Sequence, residues 1–192
     1  MSHNKNFPRI YSLSTVGIRN HYNSDYRFHP FRTDFVGDSG VGKSIIADVL
    51  QLILVGEREF KSATDSSSER EARKLIIERY GYVFLNIAIN TGQFIVIGMY
   101  ISATSIDPFI IQANIGLDMF EPLSSPIISK DFMSGDEIID IIDLPERMKE
   151  SKQAYAVKLT LNKYHELLEQ NNILPINLKT EGNLKTFAQI IR

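Results

Sequence analysis

The sequence predicts an α/β fold in which a mixed sheet carries an antiparallel β-subdomain. Three observations predict it. A glycine-rich segment at residues 37–44 stands between a predicted strand and a strongly apolar helix. Segments rich in β-formers precede this segment along the chain. Two long apolar runs follow it, and a turn of the Asn-Thr-Gly type joins them.

The chain before the glycine-rich segment predicts two or three strands. Residues 10–18 alternate and are rich in β-branched and aromatic side chains, which is typical of a strand. Residues 19–25 are polar and predict a turn. Strand character returns at 26–28 and 31–36, and Pro30 between them predicts an edge or a bend.

The glycine-rich segment is a complete Gly-x-x-x-x-Gly-Lys-Ser motif, formed by Gly37, Asp38, Ser39, Gly40, Val41, Gly42, Lys43 and Ser44. Glycines let the main chain approach an anion closely. Successive N–H groups and the N-terminus of the helix that starts near Ile45 would then surround phosphates. Lys43 would reach the β- and γ-phosphates, and the Ser44 hydroxyl would bind Mg²⁺. The motif therefore predicts binding of ATP or another nucleoside triphosphate with Mg²⁺.

Composition limits the classes of protein to which the chain can belong. Its 192 residues suffice for one domain or slightly more, and the net charge of −2 gives no general attraction to nucleic acid or membrane. The absence of cysteine excludes disulfides and thiolate sites. Residues 1–6 are polar, and no apolar run reaches the ~20 residues of a membrane span. We expect a cytoplasmic protein without a membrane segment.

The chain after the motif predicts a buried helix and then a β region. The helix covers 45–54 and ends near Gly56, and the polar residues 57–73 predict a surface loop. Strands are predicted at 82–89 and 93–101, joined as a hairpin, with a third at 108–113. Weak alternation in the hairpin predicts burial on both faces. Later elements are the alternating segment 155–161 and helices at 163–170 and 184–191.

Several further residues have two interpretations. The acidic run at 138–146 ends like a strand that supplies a catalytic acid, but Asp140 interrupts it, which favours an amphipathic helix or edge segment. Arg70, Arg73 and Lys74 either reach a nucleotide or DNA or simply solvate their loop. Asn20 and His21 either lie near the adenine and sugar or form a surface turn. The four histidines lack metal-ligand spacing.

The order of elements resembles the N-terminal head half of structural-maintenance-of-chromosomes (SMC) ATPases, which belong to the ABC type. The resemblance rests on the first strand and its Asn-containing turn, the phosphate loop, the buried helix, the polar loop and the hairpin. Residues 60–65, 82–101 and 109–112 look closest to the MukB-like and plasmid-restricting bacterial condensin branch. The resemblance to SMC heads covers about the first 113 residues of the chain. The segment 133–136 superficially echoes the ABC signature motif, which we interpret as coincidence.

This resemblance implies an incomplete head. Residues 1–113 would form the ATP-binding half-head, and 114–192 an extension toward a coiled coil or C-terminal half. That half, or a second head in trans, would supply the signature motif and acidic pair, with DNA as a partner of the complex. The resemblance places the loop arginine that senses nucleotide or DNA at Arg70 or Arg73. The family's Mg²⁺-contacting glutamine has no clear counterpart, since Gln51 lies on the helix and Gln93 in the hairpin.

Two alternatives remain open from the sequence. One is a self-contained nucleotide kinase or GTPase-like enzyme, although the base-reading Asn-Lys-x-Asp motif of GTPases is matched only at Asn162 and Lys163. The other is a non-catalytic module in which ATP orders the loop at 57–73. Without an acidic pair, the isolated chain is expected to bind ATP with little turnover.

Overall fold

A six-stranded antiparallel sheet forms the centre of the computed structural model, which describes residues 7–61, 72–174 and 181–190. In chain order its strands are β1 (Arg9–Ile18), β2 (His21–Arg27), β3 (Tyr80–Asn90), β4 (Gln93–Ser102), β5 (Ile106–Gln112) and β8 (Tyr155–Lys158). Their order across the sheet is β2-β1-β3-β4-β5-β8. A short separate hairpin pairs β6 (Met133–Ser134) with β7 (Glu137–Ile138). The helices are α1 (Lys43–Val55), α2 (Leu144–Lys152), α3 (Leu161–Gln170) and α4 (Glu181–Ile190).

The predicted hairpin is confirmed as β3 and β4, and the third predicted strand is β5 on its outer side. The turn between β3 and β4 lies at Thr91 and Gly92, where Gly92 has φ 67°. The Asn90 side chain accepts a hydrogen bond from the Thr91 N–H at 2.8 Å. Asparagine and glycine thus act in the way that makes such pairs a hairpin signal.

Both faces of the sheet are covered, which explains the weak alternation of the hairpin. One face packs with α1, α3 and α4 around a core that includes Leu85 and Ile97. The other face packs with α2 and a 3-10 turn at Ser129–Phe132 around Phe84 and Phe109. The predicted burial on two sides is therefore confirmed.

Asn86 is a buried polar residue in the middle of β3 whose amide is fully used. Its Nδ2 donates to Ser12 Oγ at 2.8 Å and to the Ile127 carbonyl at 2.7 Å. Its Oδ1 accepts from the Ile127 N–H at 2.9 Å. A buried amide is tolerated when its groups are paired in this way, and here it fixes the segment after β5 against the sheet.

Helix α1 confirms the predicted helix and its stop at Gly56, which has φ 81° and donates its N–H to the Leu52 carbonyl at 2.9 Å. The last carbonyls of a helix lack intrahelical partners. Two of them accept from side chains of α3: Tyr164 Oη donates to the Ile53 oxygen at 2.8 Å, and His165 Nε2 lies 2.9 Å from the Leu54 oxygen. These bonds fix α3 to the end of α1.

His165 should make the fold sensitive to acid. Burial lowers its pKa below the ordinary 6.5, although the bond to the Leu54 carbonyl acts in the opposite direction. The folded chain therefore favours the neutral imidazole, and the unfolded chain binds more protons below about pH 6.5. We expect the contribution of His165 to the free energy of unfolding to be complete above that pH. The free energy of unfolding should then fall as the pH drops below it.

The measurement is urea unfolding between pH 8 and pH 5 for the wild type and His165→Gln. At pH 8 the free energy of unfolding of the variant should be about 1 kcal/mol lower than that of the wild type, because the glutamine side chain makes a weaker hydrogen bond to the Leu54 carbonyl. Its stability should then change less than that of the wild type on acidification. If the free energy of unfolding depended on pH in the same way in both proteins, His165 would not be the group that causes the acid sensitivity.

Three expectations about the sheet and its first strands are wrong. All pairings in the six-stranded sheet are antiparallel, so the described part of the chain shows no mixed sheet. Residues 31–36 form no strand; instead the Phe35 ring packs edge-on against Tyr26 and Phe28. The predicted turn at 19–25 is only two residues long, because β2 already begins at His21. As an edge strand, β2 can keep alternate polar side chains in solvent.

The second half of the chain shares the sheet with the first. The alternating segment at 155–161 contains β8, which pairs with β5 through contacts such as Ile111 with Ala156. The predicted helices at 163–170 and 184–191 correspond to α3 and α4. In the described residues, no helix has the length and apolarity required to cross a membrane.

Candidate nucleotide-binding site

The phosphate-loop motif lies at the N-terminus of α1, as the sequence predicts. Gly42 is the N-cap residue with φ 92°, and Gly40 has φ 90°. Both values belong to the left-handed region that glycine adopts without steric cost. The first N–H groups of a helix have no intrahelical acceptors, and α1 has no acidic residue in its first turn. This end of α1 is therefore suited to an anion.

The ammonium group of Lys43 lies inside the loop. Its Nζ donates to the carbonyl oxygens of Gly37 and Asp38, the second at 2.8 Å. The side chain is exposed, so no part of the core depends on it. An ammonium has three donors, and a phosphate entering the loop can accept from it while the loop carbonyls keep it in place.

The turn between β1 and β2 is hydrogen-bonded to the loop. Asn20 Nδ2 donates to the Gly40 carbonyl at 3.1 Å, and His21 Nε2 lies 2.9 Å from the Gly42 carbonyl. Because a carbonyl only accepts, Nε2 carries the proton, and Nδ1 then accepts from Tyr26 Oη at 2.5 Å. His21 is 9% exposed, so this contact is shielded from water. Asn20 therefore lies in the turn and His21 begins β2, and both side chains contact the loop.

A cavity of about 500 Å³ opens beside the loop. Its lining is Arg19, Asn20, Ser39, Gly40, Gly42, Lys43, Ser44 and Ile45. Among the described residues, its lining has two cationic side chains and no carboxylate, so its charge favours an anion. The cavity brings together most of the predicted site residues of the loop, whereas Gly37, Asp38 and Val41 do not line it.

Arg19 is the lining residue that the sequence analysis missed. It directly follows β1, and its N–H donates to the Leu75 carbonyl at 2.8 Å, which ties this turn to the segment before β3. The only sequence signal was its position next to Asn20 and His21. Its approach to Lys43 depends on the pairing of β1 with β2, which a motif search does not consider.

The predicted loop arginines are not brought to the cavity by the described residues. Arg73 forms an ion pair with Glu57 at 3.0 Å, and both side chains are about 40% exposed, at 40% and 44%. It does not line the cavity at the phosphate loop. Arg70 lies outside the described residues.

The acidic run also lies elsewhere. Residues 140–143 form turns before α2, and Asp140 lines a separate cavity with Tyr80 and Tyr100. Burial raises the pKa of Asp140, but hydrogen bonds from Tyr80, from the Ile142 N–H and from Tyr100 outweigh it, and its pKa is lowered. Asp140 is thus a charged group with structural partners. The segment 133–136 belongs to the β6–β7 hairpin, with Gly135 in its turn.

The residues at the loop fit a Mg²⁺ ion held mainly by phosphates. Among the described residues, no group of three or more His, Asp or Glu side chains is placed to hold a metal ion by itself. The half-buried Ser44 hydroxyl lines the cavity and provides one oxygen ligand. Mg²⁺ commonly takes one or two protein oxygens and completes its shell with phosphate oxygens and water.

The chain matches no protein-family model, and a search of curated proteins returns no significant relative.

Proposed function

We propose that this chain binds Mg²⁺ and ATP at the phosphate loop and acts as the N-terminal half of an SMC-like ATPase head. The observation that carries the proposal is the loop itself. A helix N-terminus, an inward ammonium from Lys43 and a cationic cavity meet in one place. The Lys43 ammonium would bind the β- and γ-phosphates, the first amides of α1 would bind phosphate oxygens, and Ser44 would bind the metal.

The other half of the head, or a second head, is proposed as the partner. Val36 directly precedes the loop and is 89% exposed, and Val41 lies within it and is 49% exposed. Residues 31–36 carry strand-forming side chains, yet no described strand pairs with them. Apolar side chains beside unpaired main chain are a surface that a further strand can cover. A complementing half would also supply the carboxylates that the lining of this cavity lacks.

Such a head would use ATP binding to engage its partner and hydrolysis to release it, in DNA maintenance, condensation or defence against foreign DNA. DNA would be bound by the complex and not by the phosphate loop. The isolated chain is proposed to bind ATP with little turnover, since a water-orienting acid must come from elsewhere. Two alternatives to the SMC-like half-head are a self-contained kinase or GTPase-like enzyme and a non-catalytic nucleotide-responsive module.

Equilibrium binding of labelled ATP, with Mg²⁺ or with EDTA, tests the proposal. We expect Mg²⁺ to increase the affinity of the wild type several-fold, and Ser44→Ala to lose most of this increase because the metal loses its protein oxygen. Ser124→Ala, at an exposed serine that does not line the cavity, is the control and should keep the Mg²⁺ effect. Turnover should be near background for the chain alone. Rapid hydrolysis by the monomer would favour the self-contained enzyme, and absence of ATP binding would reject the site.

A further inference from the structure

A second cationic cavity lies at the end of the sheet away from the phosphate loop. It is formed by the start of β1, the end of β2 and the β3–β4 turn, and has a volume of about 460 Å³. A smaller cavity of about 400 Å³ adjoins it and shares Arg9, Tyr11, Arg27 and Pro30. We call this pair of cavities the arginine groove. A strand of ten residues such as β1 spans roughly 30 Å, so the groove and the phosphate loop lie far apart.

The backbone at the groove is irregular in two neighbouring strands. The register of β1 with β3 shifts between Ile10 and Ser12, which makes Tyr11 the extra residue of a bulge. The register of β3 with β4 shifts between Ala88 and Asn90. Bulges re-aim side chains and are frequent beside binding sites. Here both occur where the side chains of Arg9 and Tyr11 enter the lining.

In the described part of the chain, the two arginines of the groove have no acidic partner. Among the described residues neither Arg9 nor Arg27 forms an ion pair, and no carboxylate lines either cavity. Arg9 Nη1 is buried and has no hydrogen-bond partner in that part of the chain. An unpaired buried donor of a charged group is costly. Two guanidinium groups without a carboxylate partner in the described residues give the groove a positive charge, which favours a bound anion.

Aromatic rings lie beside these guanidinium groups, and one further ring of the groove is exposed to solvent. Arg27 Cζ lies 4.6 Å from the centre of the Tyr11 ring, and Arg9 Cζ lies 5.7 Å from that of Phe7. Phe31 also lines the groove and is 82% exposed. In nucleotide-binding sites of this kind, the base stacks on an exposed aromatic ring while neighbouring cationic side chains bind the phosphate.

We infer that the arginine groove binds one nucleotide unit, with the phosphate on Arg9 and Arg27 and the base on Phe31. The unit belongs either to single-stranded nucleic acid or to a free nucleotide. A paired duplex does not offer its base faces to a side chain, so it is excluded as the preferred ligand. The inference is independent of ATP binding, because the groove and the phosphate-loop cavity share no lining residue.

The test is fluorescence anisotropy with a labelled 15-nucleotide oligothymidine, performed on the Lys43→Ala chain so that the phosphate loop does not contribute. Arg27→Ala and Phe31→Ala should each weaken binding about 10-fold. Arg32→Ala is the matched control, because Arg32 is exposed, pairs with Asp34 and does not line the groove. It should weaken binding by less than 2-fold.

Competition separates the two sources of the unit. Displacement by unlabelled oligothymidine at much lower concentration than by thymidine monophosphate identifies a strand site, and equal potency identifies a free-nucleotide site. Equal competition by inorganic phosphate, or equal affinity for a duplex, would overturn the inference. So would unchanged binding in Phe31→Ala, a variant that cannot fail through loss of core packing because the ring is exposed.

Discussion

Replacing Lys43 with alanine is expected to weaken ATP binding by about 100-fold, which corresponds to roughly 3 kcal/mol of lost charge-assisted hydrogen bonding. The physical reason is the position of the ammonium, which the carbonyls of Gly37 and Asp38 hold inside the loop. The fold should not change, since the side chain is exposed. Isothermal titration with ATP and Mg²⁺ gives the affinity, and thermal unfolding without ligand gives the stability.

Lys130→Ala is the control for this variant. Lys130 is also exposed, but it lies in the 3-10 turn on the other face of the sheet. It should leave both ATP affinity and Tm unchanged. If Lys43→Ala bound ATP as tightly as the wild type, the cavity at residues 37–45 would not be the triphosphate site. If it lost affinity together with several degrees of Tm, the lysine would have a structural role that the geometry does not indicate.

The loop was predictable because its chemistry is local. Eight consecutive residues contain the glycines, the cation and the hydroxyl that phosphate binding requires, and the apolar pattern of the next segment predicts the helix. The hairpin of β3 and β4 is local in the same sense, since its turn residues and both strands are contiguous. Such features do not depend on which distant segment lies beside them.

The errors concern features that depend on a distant partner. Residues 31–36 have strand-forming side chains, but a strand needs a neighbour, and the described residues provide none there. Most of β2 was predicted as a turn because its side chains are polar. An edge strand needs few apolar residues once β1 supplies its hydrogen bonds. The pairing of β8 with β5 joins segments that are more than 40 residues apart, as Ile111 and Ala156 show.

The arginines that line the two cavities were not predicted, because their positions also depend on the pairing of distant segments. Arg19 reaches the cavity only because β1 and β2 form a tight turn against the loop. Arg9 and Arg27 meet because β2 returns beside β1 in register, where Ser12 opposes Arg27. Neither arginine belongs to a short motif, so composition and spacing gave no reason to select them. Binding groups that converge from separate strands require the register, and the register was not known.

A comparison of Gly42→Ala with Gly40→Ala should show how strongly the β1–β2 turn supports the loop. Both glycines have φ near 90°, so alanine costs about 1–2 kcal/mol of backbone strain at either position. Only at Gly42 does a new Cβ meet its neighbours, at 2.7 Å from His21 Nε2 and 2.8 Å from Asn20 Cβ. At Gly40 nothing lies within 4 Å.

Gly42→Ala must therefore move the turn, and the hydrogen bond between His21 and the Gly42 carbonyl should be lost with it. We expect a lower Tm than for Gly40→Ala and an ATP affinity that is at least 10-fold weaker, measured by thermal unfolding and titration. Gly40→Ala should retain most of its affinity, since only strain is added. Because strain is common to both variants, the difference between them measures the contact of the turn with the loop. Equal losses in the two would mean that this contact does not stabilise the phosphate-binding conformation.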